Sequence, residues 1–377
     1  MQLTVGIGLL GCGTVGAMVA ERLQHERDTI ERRSGVRYEL CAIAIRDPRK
    51  LRPRSLDARL FTQDVCSVID DPRVDLVVEM IGGAVDATEP VERALYRGRH
   101  VVTANKELLA TQGPRLTALA QSRRASLRFE AAVAGAIPIL GALGDGLAGD
   151  RVCGVAGVFN GTCTSILSAM EEGRSFNEAL HRAQALGYAE ADPANDLDGS
   201  DAAHKLALII QQAFGLAVIS PRIRRTGIGA VSQRDVARAR LLGSRIRLVA
   251  ATFRTPRGVV AEVAPALVAE DHDFARTAGP ENAIHVTTQH AGRLALRGTG
   301  AGGRATSSAV IADVVAVLRA LGEGHGAAPH NALRELEPAI DVEPFFASLP
   351  RDPELPAYAV WDERAVSESA SPLYASA

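Results

Sequence analysis

The chain has 377 residues, of which 47% are hydrophobic and 23% charged, the balance of an ordinary globular protein rather than a disordered one. This length allows two domains with substantial cores. The formal net charge of −2 provides no overall positive field, so neither nucleic acid nor an anionic membrane is predicted as a partner. The five cysteines are scattered and contain no C-x-x-C pair, which argues against a zinc site or a disulfide framework and favours a cytoplasmic protein.

The first twenty residues carry no charged side chain, as in a signal or membrane segment. However, no lysine or arginine precedes the apolar part, and five glycines interrupt it. We therefore predict a buried strand and a tight turn at this end of the chain, not a membrane helix.

Strands and helices alternate in the pattern of the first 130 residues. Residues 3–10 are predicted as a buried strand, and a helix is expected from 17–23 onwards. Further apolar runs, each predicted as a strand, lie at 40–45, 74–80, 101–104 and 127–131. Such alternation predicts an α/β fold, a doubly wound Rossmann-type domain over residues 1–135 whose parallel sheet is covered on both faces.

The second half of the chain has a different pattern. Residues 131–149 are rich in Gly and Ala and are predicted to form a linking helix. Strands predicted at 152–159, 247–253 and 258–263, with long helical stretches between them, indicate a second, α+β domain over 136–302. An apolar helix near 303–322 is expected to complete the first domain. The tail, 323–377, contains several prolines and is predicted to be loosely structured, with no regulatory domain.

The clearest nucleotide signal is a G-x-G-x-x-G that follows the first predicted strand and opens a helix. The first glycine makes the turn, the second lets the backbone approach a pyrophosphate, and the third lets helix and strand pack closely. The alternative is a structural glycine turn, but the strand-to-helix placement favours a dinucleotide cofactor. The candidate cofactor-binding residues are Gly11, Cys12, Gly13, Thr14, Val15 and Gly16.

The end of the second predicted strand bears on the choice of cofactor. Arg46 lies where a carboxylate would accept the ribose 2′-OH of NAD, and Arg49 and Lys50 follow it. This favours NADP, while the neighbouring Asp47 leaves NAD open. Two more strand ends, at Gly82-Gly83 and at residues 103–106, are expected to face the nicotinamide, because ligands bind at the carboxyl edge of such sheets.

An acidic segment, residues 187–205, precedes a helix whose start is predicted at Asp198 or Ser200 as cap. Asp201 and Lys205 are four residues apart and therefore share one face of that helix. A solvated acidic loop with a surface ion pair is the alternative interpretation.

A calcium loop does not fit this segment. The D-x-[DN]-x-[DN]-G frame, aligned on Gly199, places Ala194 at its first position and Lys205 at its twelfth, where a bidentate Glu is needed.

Chemistry gives the segment a functional interpretation. Reduction of an aldehyde leaves negative charge on oxygen, and the Lys205 ammonium can stabilise that charge and supply a proton while Asp201 orients the amine. Glu190 is then a candidate for holding a cationic group of the substrate, such as an α-ammonium. Lys106 is a candidate contact for cofactor or substrate, and the alternative is an exposed lysine that opens a helix.

These motifs together resemble homoserine dehydrogenase. The resemblance covers about residues 3–322 and rests on the glycine motif, Thr103-Ala104-Asn105-Lys106, Phe129-Glu130-Ala131-Ala132-Val133, Asn160-Gly161-Thr162 and above all the segment 187–205. It implies NAD(P)-linked interconversion of L-aspartate 4-semialdehyde and L-homoserine, in the threonine and methionine pathway, by a homodimer that acts on a small amino-acid substrate.

The resemblance also implies roles for particular residues. Lys205 would be the proton donor, with Asp201 beside it. Glu190, Asp196 and Lys106 would bind substrate. Cys12, Gly13, Thr14, Val15, Gly82, Thr103 and Gly302 would line the cofactor. Glu130, with the backbone carbonyls of Val133, Gly135 and Ile137, matches the family's sodium site, whose hard oxygen ligands suit such an ion.

Two features depart from the family, and two rival functions remain. The family usually continues Asn160-Gly161-Thr162 with Asn-Tyr, whereas this chain has Cys163-Thr164, and its tail is short for a regulatory domain.

An acylating semialdehyde dehydrogenase would use Cys163, near a helix start, as a nucleophile with a lowered pKa. A dinucleotide-sensing regulator without chemistry would need a partner or DNA-binding module.

Overall fold

The computed structural model describes residues 3–255, 258–324, 337–338, 342–343, 351–355 and 357–361. These residues form two units. The first contains the described residues up to 145 together with 302–324, and the second contains 146–301 with the described residues from 337 onwards. Most of the predicted loose tail lies outside the described residues.

The first unit is built on a six-stranded parallel sheet in the order β3-β2-β1-β4-β5-β6. The strand order reverses between β1 and β4, which is the topological switch point at which such sheets bind ligands. The strands are β1 (Thr4–Leu10), β2 (Arg37–Ala44), β3 (Phe61–Thr62), β4 (Leu76–Glu79), β5 (His100–Thr103) and β6 (Leu127–Arg128), and the helices are α1 (Thr14–His25), α2 (Arg27–Ser34), α3 (Val65–Asp70), α4 (Ala84–Tyr96), α5 (Lys106–Ser122) and α6 (Ile139–Gly141).

The core of the first unit explains why the apolar runs form strands. Val5, Ile7 and Leu9 of β1 are buried in one cluster with residues of the helices that cover the sheet. A late helix, Gly303–Gly322, contributes Val310 and Val314 to this cluster. The predicted α/β fold with a doubly wound parallel sheet is confirmed.

The predictions for 127–131 and 131–149 were partly wrong. Strand β6 ends at Arg128, because the backbone N–H of Glu130 donates to the buried Asp313 carboxylate (2.8 Å) and a 3-10 turn, Glu130–Ala132, follows. Instead of one linking helix, the next residues form a turn with positive φ at Ala134 and Gly135, then the short α6 and a π-helical turn, Ala142–Gly146.

The second unit contains a mixed sheet in the order β13-β12-β7-β10-β11-β15, which confirms an α+β second domain. The pairs among β7 and β10–β13 are antiparallel, and the short strands β9, β15 and β16 pair parallel with β11. The strands are β7 (Val152–Val158), β8 (Leu216–Ala217), β9 (Arg224–Arg225), β10 (Ser244–Thr255), β11 (Gly258–Ala269), β12 (Glu281–Thr288), β13 (Arg293–Thr299), β14 (Glu337–Pro338), β15 (Val342–Glu343) and β16 (Ala359–Val360), and the helices are α7 (Gly161–Glu171), α8 (Phe176–Ala185), α9 (Ala194–Leu197), α10 (Ser200–Phe214) and α11 (Gln233–Leu241), after which Gly303–Gly322 is α12.

Helix α12 is the one helix of the described residues that is long and apolar enough to cross a membrane by length and composition. Half of its most apolar window is buried inside the protein, and the helix packs in the core of the first unit. A core helix of this kind meets the same length and hydropathy criteria as a membrane span, so it is weak evidence for a membrane.

Candidate active site

The glycine motif forms the turn from β1 into α1, and the geometry shows which glycines the turn requires. Gly11 has φ +99°, and a Cβ there would lie 2.6 Å from the Met80 carbonyl oxygen. A Cβ on Gly16 would lie 2.3 Å from the Gly11 carbonyl oxygen. No atom lies within 4 Å of a Cβ built on Gly13, so the backbone there is open to a ligand.

The first turn of α1 provides donors for an anion. Gly13 is the N-cap, and the first intrahelical bond runs from the Ala17 N–H to the Gly13 carbonyl oxygen (2.9 Å). The backbone N–H groups of Thr14, Val15 and Gly16 precede that bond and therefore have no acceptor in the helix. Free N–H groups at a helix N-terminus suit a phosphate.

The start of α12 lies against the same turn. Its N-cap Gly302 has φ +107°, and a Cβ built on Gly303 would lie 2.7 Å from Met18 Sδ and 3.2 Å from Thr14 Cγ2. The structure therefore brings Gly302 close to the glycine motif, as expected if both contact one ligand.

The ends of β4 and β5 also meet at this edge of the sheet. Asn105 caps α5 through its Oδ1, which accepts the Leu108 N–H (3.1 Å), and its Nδ2 donates to the Gly83 carbonyl oxygen (2.8 Å). This places the Gly82-Gly83 loop beside Thr103. Lys106 is the first residue of α5 and is half-buried.

Arg46 lies two residues beyond the end of β2 and is largely exposed. Its Nη1 is 3.9 Å from Asp86 Oδ2. Asp47 accepts from the backbone N–H and the side chain of Arg49, and these bonds lower its pKa. Asp47 is thus engaged locally, whereas the guanidinium of Arg46 is accessible to solvent.

In the second unit, Lys205 and Asp201 form a buried pair on α10. Lys205 Nζ donates to Asp201 Oδ2 (2.7 Å) and to the Phe159 carbonyl oxygen (2.7 Å), and the two side chains are only 10% and 8% exposed. The alternative of a surface ion pair was therefore wrong. Of the three N–H donors of the ammonium, these bonds use two, so one is left for a substrate oxygen.

The predicted cap of this helix was also wrong. The N-cap of α10 is Gly199, with φ +85°, and it makes no side-chain cap. A Cβ would strain that left-handed backbone conformation. Asp198 supports the turn instead, because its Oδ1 accepts the Ser200 N–H (2.8 Å) and its Oδ2 accepts the Ser200 hydroxyl (2.8 Å).

The amide of Asn160 joins the pair to Asp196. Asn160 caps α7, because its Oδ1 accepts the Cys163 N–H (2.7 Å). Its Nδ2 donates to Asp201 Oδ2 (2.9 Å) and to Asp196 Oδ1 (2.7 Å), and the two amide hydrogens suffice for both bonds. The structure thus assembles an ammonium, two carboxylates and the amide between them.

Asp196 has a raised pKa, first because it is desolvated by burial and second because Asp201 is negative. The Thr162 hydroxyl lies 3.1 Å from Asp196 Oδ2 and 2.6 Å from the Tyr188 carbonyl oxygen. Glu190 is exposed, and among the described contacts none joins its carboxylate to this cluster.

Cys163 does not have the character of a nucleophile. Its side chain is completely buried in α7, and burial raises its pKa well above the ordinary value, with a further contribution from Asp196. The prediction of a lowered pKa was wrong, because burial and the neighbouring carboxylates raise the pKa by more than the Lys205 ammonium lowers it. Its Sγ donates to the Asp196 carbonyl oxygen (3.2 Å).

A cation site is compatible with the turn after β6. Glu130 is buried, and its pKa is raised to about 7, chiefly by burial and then by the negative charge of Asp313. Its carboxylate accepts the Leu140 N–H (2.8 Å) and the Gly141 N–H (2.6 Å). The turn 133–137, which contains the carbonyls of Val133, Gly135 and Ile137, follows within the same unit. These are the hard oxygen donors that a sodium ion prefers, so the residues fit such an ion.

Sequence reasoning missed two residues of these sites. Glu79 was not singled out, although a glutamate inside the apolar run Leu76–Glu79 is unusual, because ionisable side chains are rarely fully buried. Asn160 was noted only as part of a motif. An asparagine between a strand and a helix indicates a cap, but its bridge to carboxylates 36 and 41 residues away has no local signal.

Comparisons with known proteins agree on one family. Two family models match the chain, "Homoserine dehydrogenase, NAD binding domain" over residues 11–130 and "Homoserine dehydrogenase" over residues 138–315. The homoserine dehydrogenase of Pseudomonas aeruginosa is 40% identical over 333 residues, which are 88% of this chain and 76% of that protein.

Solved structures give the same result. The crystal structure of a homoserine dehydrogenase from Thiobacillus denitrificans superposes with a TM-score of 0.85 at 39% identity, covering 92% of this chain and 80% of that chain. A hyperthermophilic archaeal homoserine dehydrogenase in complex with NADPH has a TM-score of 0.70 at 26% identity, covering 83% of this chain and 97% of that chain.

Proposed function

Because the chain belongs to the homoserine dehydrogenase family, we propose that it interconverts L-aspartate 4-semialdehyde and L-homoserine with NADP as cofactor and Lys205 as proton donor. The observation that carries this proposal is the buried Lys205–Asp201 pair, in which the Lys205 ammonium uses two of its three N–H donors and has one left for the substrate oxygen. An acylating mechanism gains no support, because Cys163 is buried with a raised pKa.

The reaction is balanced by one hydride and one proton. The reduced nicotinamide, when bound, supplies the hydride to the aldehyde carbon. The carbonyl π electrons move to oxygen, and the Lys205 ammonium stabilises the alkoxide and protonates it, which gives the alcohol. In the oxidative direction the neutral amine accepts the hydroxyl proton. Asp201 and the Phe159 carbonyl oxygen fix the nitrogen in position for both directions.

We propose that Asp196 and Glu190 bind the α-ammonium of the substrate and that Lys106 contacts the substrate near the nicotinamide. The half-buried Asp196 supports this assignment, because a carboxylate in a desolvated position gains more from an incoming cation than an exposed one does. The raised pKa of Asp196 is expected to fall when the ammonium binds.

Residues 1–135 with 303–322 are proposed as the cofactor domain and 136–302 as the substrate and dimerisation domain. The open backbone at Gly13, the free N–H groups of α1 and the adjacent Gly302 support cofactor binding by Gly11–Gly16 and Gly302. Gly82 and Thr103 are proposed to line the nicotinamide end. The exposed guanidinium of Arg46, and the NADPH bound to the archaeal relative, support NADP.

Further properties are proposed from family membership. The protein is expected to act as a homodimer in the cytoplasm, in threonine and methionine biosynthesis. A sodium ion is proposed at Glu130 and the carbonyls of Val133, Gly135 and Ile137, where the buried carboxylate supports it. Sedimentation of the purified protein tests the dimer, and activity measured in sodium against choline salts tests the ion.

The decisive experiment removes the Lys205 amine. Lys205→Ala is expected to lower kcat by about 10²–10⁴-fold in homoserine oxidation, because a positioned proton donor is lost. Asp192→Asn, a charge change at an exposed residue of the same segment, is the control and should leave kcat unchanged. Added primary amines should partly restore the Lys205→Ala rate. Full activity of Lys205→Ala would rule out the assigned role.

A further inference from the structure

Glu79 is a fully buried carboxylate at the carboxyl edge of the parallel sheet. It is the last residue of β4, beside the switch point, and its side chain has no exposed surface. One oxygen, Oε1, accepts the Ile81 N–H (2.6 Å), and the other, Oε2, accepts the hydroxyl of Thr103 at the end of β5. A buried charge is costly unless it is paired or hydrogen-bonded, and here the two hydrogen bonds offset only part of that cost.

The hydrogen bonds continue from Thr103 into both strand-end loops. Thr103 Oγ1 accepts the Asn105 N–H (3.0 Å), and Asn105 Nδ2 donates to the carbonyl oxygens of Ile81 (3.2 Å) and Gly83 (2.8 Å). Glu79 therefore anchors a closed ring of hydrogen bonds. This ring fixes the loop 80–83 against the loop 103–106.

The direction of these bonds is the one expected for an ionised carboxylate. Ile81 N–H can only donate, and the Thr103 hydroxyl, which already accepts from Asn105, has its one hydrogen directed at Glu79. An ionised carboxylate accepts from both groups. A protonated carboxyl, or a glutamine, can contact both groups only by donating to Thr103 Oγ1, so the hydroxyl hydrogen loses the carboxylate as its acceptor and the charge-assisted bonds become weaker neutral ones.

We propose that Glu79 is a positioning residue that, in its ionised form, holds the two loops in the conformation that binds the nicotinamide end of the cofactor. The inference rests on the proposed function, because these loops carry Gly82 and Thr103, and it adds a residue and a pH dependence to that function. Glu79 is not a catalytic residue in this proposal; it acts through the Thr103 hydroxyl and the Ile81 N–H.

The groups that face the carboxylate are all uncharged. They are the Thr103 hydroxyl from β5, the Ile81 N–H from its own loop and the amide of Asn105. Lys106, the first residue of α5, is the one titratable side chain in the loops 80–83 and 103–106. Burial raises the pKa of Glu79 to about 7, and the hydrogen bonds oppose that rise. Cofactor affinity should therefore fall as the pH drops below 7.

The experiment measures NADPH binding by fluorescence titration between pH 6 and pH 8. The parent protein should bind about tenfold more weakly at pH 6 than at pH 8, because protonation of one group below its pKa changes affinity by about tenfold per pH unit. Glu79→Gln should bind about 10–100-fold more weakly than the parent at pH 8, the range for hydrogen bonds to a charged group. Its remaining pH dependence should be smaller than that of the parent.

Two further variants separate positioning from general damage. Glu89→Gln makes the same chemical change at an exposed position on α4 and serves as the matched control. Thr103→Val removes the hydroxyl through which Glu79 acts. If the proposal is right, the double variant Glu79→Gln/Thr103→Val binds NADPH with the same affinity as whichever single variant binds it less tightly, because both changes break the same ring. Additive losses contradict it.

The outcomes also separate this inference from the proposed function. A parent protein that binds NADPH, with a Glu79→Gln variant of equal affinity at every pH, overturns the inference alone. A parent that binds NADPH in the predicted pH-dependent way but does not oxidise homoserine overturns the proposed function alone. If Glu79→Gln unfolds, the pH dependence of NADPH binding by Thr103→Val provides the test. It should be smaller than that of the parent, because the hydroxyl that links Glu79 to the loop is gone.

Discussion

Asn160 lies between two carboxylates and donates one amide hydrogen to each of them. Asp196 and Asp201 repel each other, and this repulsion is the second cause of the raised pKa of Asp196. The amide lowers that pKa by hydrogen bonding and at the same time holds the Asp201 oxygen that accepts from Lys205. A neutral residue thus organises three charged groups of the proposed active site.

Replacement of Asn160 by aspartate separates its two functions. Asn160→Asp keeps an oxygen that can cap α7 by accepting the Cys163 N–H, but it removes both N–H donors and adds a third negative charge. We expect the buried third charge to lower the thermal stability. We also expect kcat to fall by about 10²-fold, because the carboxylate that orients Lys205 is displaced. Steady-state kinetics with a melting curve would measure both effects.

If Asn160 had only a structural role, as the cap of α7, its variants would lose activity only as far as they lose stability. Asn160→Ala loses the cap but adds no charge, so it should cost about 1 kcal/mol of stability for the cap. If Asn160→Asp is fully active, or if its loss of activity follows its loss of stability, the bridging role is contradicted.

Glu79 also bears on the dependence of stability on pH. Its folded-state pKa of about 7 lies above the ordinary value of 4.5, because burial disfavours the charge. The stability associated with this group is therefore fully present below pH 4.5 and is lost as the pH rises through 7. A functional carboxylate of this kind is retained at a cost in stability.

The comparison of the parent with Glu79→Gln isolates this effect. We expect the unfolding free energy of the variant, relative to the parent, to rise between pH 5 and pH 8 by roughly 2–3 kcal/mol. Other titrating groups, such as Glu130, cancel in the difference. Denaturant unfolding at several pH values measures it, and a constant difference would show that Glu79 does not titrate in this range.

At the scale of elements, the turn from β1 into α1 allows a paired test of two glycines. Gly16→Ala places a Cβ 2.3 Å from the Gly11 carbonyl oxygen, so the helix must move, which typically costs about 1–3 kcal/mol. The Cβ of Gly13→Ala has no atom within 4 Å, so the stability of this variant should be near that of the parent. The added methyl group should keep the cofactor pyrophosphate from approaching the backbone closely.

Two measurements distinguish these glycines. Thermal unfolding without cofactor should reveal the Gly16→Ala defect, and NADPH titration should reveal a loss of affinity of about tenfold or more in Gly13→Ala, whose fold is intact. Equal effects of both substitutions on stability would mean that the turn is not packed as described.

The elements of the first unit were predictable because parallel strands are buried on both faces and appear as continuous apolar runs. The predictions failed where a distant partner decides the local structure. Strand β6 ends early because Asp313, 183 residues away, accepts the Glu130 N–H. The cap of α10 was misassigned because a glycine in a left-handed conformation begins that helix. The Asp201–Lys205 pair was predicted, since helical periodicity sets it, but the bond from Lys205 to the Phe159 carbonyl oxygen, 46 residues away, has no local signal.

At the scale of the whole molecule, cofactor binding is expected to raise the unfolding free energy of the protein as well as to supply the reaction. The candidate dinucleotide contacts in the glycine motif, at Gly82 and Thr103 and at Gly302 all lie in the first unit, whereas Lys205 and Asp201 lie in the second. A ligand that binds only the folded protein stabilises it by about 2.7 kcal/mol at a concentration 100 times its Kd. The choice between NADPH and NADH should therefore be visible in unfolding as well as in kinetics.

Arg46 is expected to set that choice. The 2′-phosphate of NADPH offers an anion that the exposed guanidinium can bind, and it would compete with Asp86, whose carboxylate is 3.9 Å away in this structure. Arg46→Ala should weaken NADPH binding by about 10–100-fold and leave NADH binding nearly unchanged, because NADH lacks the phosphate.

Arg54→Ala, at an exposed arginine in the same loop, is the control. Thermal shifts with each cofactor provide the measurement. Equal losses for NADPH and NADH in Arg46→Ala would mean that Arg46 contacts a part that both cofactors share, and the preference for NADP would then need another residue.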